Sequence, residues 1–447
     1  MTQRAVCLKE AARFWLRLGL VSFGGPAGQL SLLHRELVEE RRWLSEQRYL
    51  HALNYCMLLP GPEATQLATY LGWLMHGNRG GLIAGGLFLL PSVLVLLTLS
   101  SVYALWGELP LLSSIFWALK PAVIAIVLQA CWRLGRRTLH TPFLTAIAVA
   151  AFLGLEFTAL PYPLLIAAAA LAGGLAGRLR PSLLSCRTPP PDGQDAGSSA
   201  TTAAAPLGLE IIHNDTTPTP DHGKPSRKRF AATLLTFGLA LVLPLQLLVQ
   251  LQGWNGMLAT MARFFTRVAL VSFGGAYAVL PYVARGAVES FGWLSAGQMI
   301  DGLALGETTP GPLIMVVAFV GFMGGWNGSG TLVMAVAAAL VVVWFTFLPS
   351  FAFILVGAPL VESTRENRRL RDPLTGITAA VVGVIASLAV FFALPTLWPE
   401  TAGARSLDQP ALAILLLSMA LLLRWRWNVL QLIGAAALVG VLRLLVS

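Results

Sequence analysis

Charge is scarce in this sequence. Asp, Glu, Lys and Arg together make up 12% of its 447 residues, while 56% are hydrophobic, which excludes a soluble domain with an ordinary charged surface. Cysteine is scarcer still. Cys7, Cys56, Cys131 and Cys186 form no Cys-x-x-Cys pair and have no ligand spacing, which argues against a zinc site or a dithiol redox centre. The histidines His34, His51, His76, His140, His213 and His222 are equally scattered, so no metal and no cofactor is expected. The first 17 residues carry Arg4, Lys9, Arg13 and Arg17 without a small-residue cleavage site, and no removable signal peptide is expected.

What the sequence has in quantity is apolar length. Runs long enough to cross a bilayer occupy 82–106, 111–131, 231–250, 331–357 and 377–394, and in lipid such runs must be helical because no water satisfies an open backbone. The formal net charge of +10 sits in basic clusters between these runs. Orientation signals are distributed in that way, whereas a nucleic-acid binder concentrates charge on one face. The surroundings to expect are membrane lipids, with Trp43 and Trp293 suited to interfacial belts.

A set of motifs occurs twice. Leu20-Val21-Ser22-Phe23-Gly24-Gly25 returns letter for letter at 270–275, Trp43-Leu44-Ser45 at 293–295, and Pro60-Gly61-Pro62 at 310–312, all at an offset of 250. Further on, Leu90-Pro91-Ser92 matches Leu348-Pro349-Ser350 at an offset of 258. These matches mark a duplication. Between Arg178 and Phe230 the composition changes to Pro, Gly, Ser, Thr and Asp, which reads as a flexible linker. The organisation expected is an N-terminal repeat at 1–179, a linker at 180–229, and a C-terminal repeat at 230–447 with an additional leading crossing.

The charges of equivalent segments oppose one another. The 107–110 segment has no base, and its counterpart holds Arg365, Arg368, Arg369 and Arg371. Arg133, Arg136 and Arg137 match 394–399, which has none, and Arg41, Arg42 and Arg48 match Phe291, Gly292 and Gln298. Under the positive-inside rule the halves then face opposite ways, with the linker cytoplasmic. The fold class expected is an all-α polytopic membrane protein with two homologous halves in inverted topology. Broken or re-entrant helices fall at the repeated motifs, a pattern found in transporters.

Each break carries chemistry. Pro60 and Pro62 end one helix and open another, leaving the N–H groups of Glu63, Ala64 and Thr65 without helical acceptors. Those groups and the helix dipole favour an anion. Thr308-Thr309-Pro310-Gly311-Pro312 repeats the construction, and Ser22-Phe23-Gly24-Gly25-Pro26 is a further break. Its copy has Ala276 in place of Pro26 and is expected to be less well enforced. Ser22, Ser272, Thr65, Thr308 and Thr309 are candidate donors to a tetrahedral oxyanion, with Gly24, Gly25, Gly274 and Gly275 letting the backbone approach. Arg17 and Arg267 stand at matched positions five residues before each Ser-Phe-Gly-Gly. They fit a bidentate anion contact or, equally, snorkelling at an interface. Glu63 and Glu307 flank the breaks, and a carboxylate at membrane depth is a functional candidate; their protonation alternating with anion binding would couple transport to protons. Asp301 reads as an interface marker, and Lys120 as a snorkelling or paired lysine.

The motifs Ser-Phe-Gly-Gly-Pro at 22–26, Glu-Arg-Arg-Trp-Leu-Ser at 40–45, Leu-Leu-Pro-Gly-Pro at 58–62 and Leu-Gly-Glu-Thr-Thr-Pro-Gly-Pro at 305–312 resemble those of the chromate ion transporter family. The resemblance implies a long-chain, two-domain member in the bacterial inner membrane that exports chromate and confers chromate resistance. It also implies sulfate as competitor and the proton-motive force as driver. The residues alone leave sulfate or another oxyanion open as substrate, and a homodimer among the allowed assemblies. A membrane oxyanion reductase would need a redox cofactor that the sequence gives no sign of.

Overall fold

The computed structural model describes residues 6–158, 160–180, 183–184, 226–361, 371–401 and 404–446. Apart from its ends, the linker expected at 180–229 lies outside the described residues, as do Arg365, Arg368 and Arg369.

The described chain is helical apart from one two-residue pairing, Glu400–Thr401 against Ala404–Arg405. The first half contains α1 (Leu8–Val21), α2 (Gly25–His34), α3 (Glu46–Leu58), α4 (Glu63–Trp106), α5 (Pro110–Thr138), α6 (Pro142–Phe157) and α7 (Tyr162–Leu179). The additional helix α8 (Arg227–Gln252) precedes the second half. There follow α9 (Met257–Leu270), α10 (Ala276–Arg285), α11 (Ala296–Thr308), α12 (Val316–Ser329), α13 (Leu332–Val361), α14 (Arg371–Leu397), α15 (Gln409–Leu423) and α16 (Val429–Val446).

The duplication is visible element by element. α2 and α10 both run on as π-helix, Arg35–Glu40 and Gly286–Ser290. Ser45 and Ser295 cap α3 and α11 by accepting from the third backbone N–H, which explains the repeated Trp-Leu-Ser: a buried tryptophan followed by a helix start. α4 is two helices in one, because His76 and Gly77 depart from helical geometry. That kink stands where Gly330, with φ of +67°, ends α12 before α13 begins.

Length decides what each helix does. α1, α3, α9 and α11 have 13 or 14 residues, about 20 Å of rise, short of a hydrocarbon layer about 30 Å thick. They end at the repeated breaks. Among the described residues, six helices are long and apolar enough to cross: α4, α5, α7, α8, α13 and α14.

The halves are interwoven. α14 packs on α6 and α7 of the first half, while its equivalent α5 packs on α15 and α16 of the second. Gly81 faces Leu355 and Gly85 faces Phe351, so α4 and its equivalent α13 pass one another antiparallel. Two apolar cores result. One gathers α1 and the first arm of α4 with Ile354, Leu355 and Ala358 of α13, and the other joins most of the remaining helices. α8 lies outside them, with few residues buried, tied by Trp344 Nε1 to the Ala240 carbonyl.

Candidate functional site

Glycine makes the breaks. Gly61 and Gly311 have φ of +133° and +107°, and Gly24, Gly25, Gly274 and Gly275 are also left-handed, a region that only glycine enters without strain. The second Gly-Gly break is present with Ala276 in place of Pro26, because both of its glycines take the positive φ that the first pair takes.

The breaks are crossed between halves. The amide of Gly61 donates to the carbonyl of Ser272 at 2.8 Å, and that of Gly311 to the carbonyl of Ser22 at 2.7 Å. The space is equally reciprocal: a Cβ on Gly61 would strike Ser350, and one on Gly311 would strike Ser92. Gln66 Nε2 donates to the Pro60 carbonyl at 2.7 Å, and Gln29 Nε2 donates to the Gly311 carbonyl.

Around these crossings lie buried hydroxyls. Ser22, Ser92, Ser272, Ser350 and Thr65 are each at most 1% exposed, and the side-chain oxygen of each lacks a hydrogen-bond partner. Buried polar atoms are nearly always paired, since leaving one unpaired costs about 1–3 kcal/mol. Four of the five form two equivalent pairs, Ser22 with Ser272 and Ser92 with Ser350. Gln66 N–H is the first amide of α4 with a helical acceptor, the Pro62 carbonyl at 2.9 Å, which leaves the amides of Glu63, Ala64 and Thr65 at the break. In the second half Met315 N–H reaches Pro312 at 2.8 Å, and the chain enters α12 through the 3-10 turn Leu313–Met315. Orphan hydroxyls and helix N-termini together suit an oxyanion.

The carboxylates break the symmetry. Glu307 is 8% exposed and accepts a 2.5 Å hydrogen bond from the Tyr277 hydroxyl. Glu63 Oε1 lies 3.9 Å from where a Cβ on Gly275 would stand. Glu63 thus lies beside Gly275 and Glu307 at the Tyr277 hydroxyl, and their equivalents in the opposite halves are the apolar Leu313 and Met57. Arg137 and Arg133, in the last turns of α5, are within electrostatic reach of Glu63 and Tyr277 respectively.

A family model described as chromate transporter matches residues 9–174 and 259–441, one segment per half. The chain belongs to the chromate transporter family. Its relatives in that family include a chromate transport protein of Pseudomonas aeruginosa, 32% identical over 96% of this chain and 90% of that protein. A chromate transport protein of Cupriavidus metallidurans is 27% identical over 97% and 92%. A probable chromate transport protein of Synechococcus elongatus is 29% identical over 86% and 84%. No solved structure matches the chain.

In this family member the structure brings together Ser22, Gly24, Gly25, Pro60, Gly61, Pro62, Glu63 and Thr65 with Ser272, Gly274, Gly275, Glu307, Pro310, Gly311 and Pro312. It does not bring in Arg17 or Arg267. Both are exposed and line separate clefts of about 430 and 460 Å³ to which neither Pro-Gly-Pro break contributes. Thr308 and Thr309 stand at the break, but their hydroxyls donate to the Leu305 and Gly306 carbonyls and close the end of α11. Sequence reasoning missed Ser92, Ser350, Gln29, Gln66 and Tyr277 as site residues. The Leu-Pro-Ser repeat was the available signal for the two serines; Gln29, Gln66 and Tyr277 lie opposite Val279, Val316 and Ala27, so the repeat gives none for them.

Proposed function

We propose that this protein is a secondary active carrier that exports chromate across the bacterial inner membrane, driven by the proton-motive force. The observation that carries the reading is the set of unpartnered hydroxyls at the crossed breaks. They offer neutral donors to a doubly charged tetrahedral anion, and hydrogen bonds to a charged group are worth about 1.5–3 kcal/mol each. Such a site reads charge and shape rather than the central atom, which makes sulfate the natural competitor. The names of the relatives favour chromate and a transporter over a reductase.

The inverted orientation is supported by the antiparallel passage of α4 and α13 and by the opposed basic clusters. It places the linker in the cytoplasm and the anion site near the midplane. Alternating access then follows from rocking the interwoven halves about the crossed breaks, which open to one side or the other. Glu63, beside Gly275, and Glu307, at the Tyr277 hydroxyl, are the groups at which a proton and the anion exclude one another. Anion release on the outer side favours proton uptake, and proton release to the cytoplasm readies the site.

The test is chromate uptake into everted, respiring vesicles from cells expressing the chain. Uptake abolished by a protonophore and reduced by excess sulfate is expected. Uptake indifferent to the protonophore would remove the proton drive, and movement of sulfate without chromate would remove the substrate.

A further inference from the structure

Away from the crossed breaks, a second group of ionisable side chains is buried among the helices. Asp301, on α11, is 4% exposed. Its Oδ2 accepts from the Tyr103 hydroxyl at 2.8 Å and pairs with Lys120 Nζ at 3.6 Å, while its Oδ1 is buried without a partner. Lys120 keeps 28% of its side chain accessible. A Cβ on Gly297, one turn before Asp301, would lie 3.3 Å from its ammonium, so the glycine makes room for the cation. The lysine is thus paired, and Asp301 is an ion-pair partner and not an interface marker.

The position of the pair is informative. At 1.5 Å per residue Lys120 is about 15 Å along α5 from Pro110, inside the apolar layer. A charge there is costly to keep, and a carboxylate with a vacant oxygen beside a movable lysine is a proton site in waiting. The carboxylate of Asp408 reaches α5 one turn before Lys120, where it accepts from Trp117 Nε1 at 3.2 Å. α12 and the turn before it carry no ionisable residue, α14 only Arg371 and Asp372 at its start, and α16 only Arg443. Arg443 stacks over Trp117, with its guanidinium 3.7 Å from the ring centroid. Among the described residues, Lys120 and Tyr103 are the titratable groups in contact with Asp301. α11 itself ends at Glu307 and Thr308, about 9 Å of helical rise beyond Asp301, where the second break begins.

We infer that Asp301, with Lys120 and Tyr103, is a second proton-binding site of the carrier, outside the anion site and linked to it through α11. This rests on the proton-driven reading given above. Protonation of Asp301 at Oδ1 cancels the carboxylate charge and frees Lys120 from it. α11 is then no longer held electrostatically to α5, and it carries the change to the break that Gly311 makes with Ser22. The pair lies toward the 107–110 end of α5, opposite Arg133 and Arg137, so it takes its proton from the outer side.

The experiment uses the full-length protein in liposomes with radiolabelled chromate. It compares chromate–chromate exchange without a gradient to accumulation under an imposed pH gradient. Asp301→Asn is expected to exchange within about twofold of the unmodified protein yet lose gradient-driven accumulation by about tenfold or more, the size of an ordinary coupling term. Lys120→Gln is expected to move the pH profile of gradient-driven accumulation to higher pH, because the carboxylate loses its counter-charge. The double variant Lys120→Gln/Asp301→Asn leaves no unpaired charge in the membrane and serves where the single variant fails to fold. It should behave as Asp301→Asn. Gradient-driven accumulation by either Asn variant equal to that of the unmodified protein overturns the inference alone. An unmodified protein that no pH gradient drives overturns the proton-driven reading, and this inference with it.

Discussion

The amide of Gly311 donates to the carbonyl of Ser22 at 2.7 Å, joining the Pro-Gly-Pro break of one half to the Ser-Phe-Gly-Gly break of the other. The same bond recurs with the halves exchanged, from Gly61 to Ser272 at 2.8 Å. Two half-length helices from each repeat therefore end against one another, and neither half completes its own site.

Replacing Gly61 by alanine should damage both fold and transport. The φ of +133° is strained for alanine, at a cost of about 1–3 kcal/mol, and the new Cβ would sit 2.6 Å from Gln66 Nε2 and against Ser350. A lower melting temperature in detergent is expected, partly restored by Ser350→Gly. A Gly61→Ala protein that melts and transports normally would show that the crossing is not needed.

Ser92→Ala and Ser350→Ala separate binding from packing. The hydroxyls make no hydrogen bond within the protein, so their loss should leave thermal stability unchanged or raised. The KM for chromate should nonetheless rise about tenfold for each, equivalent to about 1.4 kcal/mol. Unchanged KM in both variants would take these serines out of the site.

Glu63→Gln and Glu307→Gln are expected to retain exchange and lose the drive of a pH gradient, as measured in the liposome assay. Tyr277→Phe removes the hydrogen bond to Glu307 and should alter the pH profile of transport while leaving the amount of folded protein within about twofold. Coupling that survives both Gln variants would move the proton chemistry elsewhere.

The Arg285–Glu156 pair should behave as a structural unit. Arg285 Nη2 donates to Glu156 Oε1 at 2.6 Å and to Ser387 Oγ at 2.9 Å, and Ser387 also donates to Glu156. Removing one charge strands the other, whereas removing both does not. Arg285→Gln should therefore yield less folded protein than Arg285→Gln/Glu156→Gln, as read by fluorescence size exclusion. The reverse order would mean that the arginine serves the cleft it lines with Arg267.

Arg17→Gln and Arg267→Gln should change the ionic-strength dependence of transport more than its KM. Exposed arginines in surface clefts attract anions over a distance that salt screens. A KM increase of tenfold or more at high salt (about 1.4 kcal/mol) would return them to direct substrate contact.

The sequence by itself determined the membrane class, the duplication and the positions of the breaks. Each of these is a local property: apolar length forces helix, and Pro-Gly-Pro or Gly-Gly ends it wherever the rest of the chain lies. The opposed basic clusters also made the inverted arrangement legible as an expectation. Only the tertiary structure decided what meets at the breaks. Gly61 lies beside Ser272 and Ser350, and Gly311 beside Ser22 and Ser92, because α4 and α13 pass antiparallel and α5 and α14 exchange partners between halves. The pairing of Lys120 with Asp301, and of Glu156 with Arg285, belongs to the same level. A buried charge must find a partner, but the partner is selected by the packing of distant helices, and a single sequence holds no record of that distance.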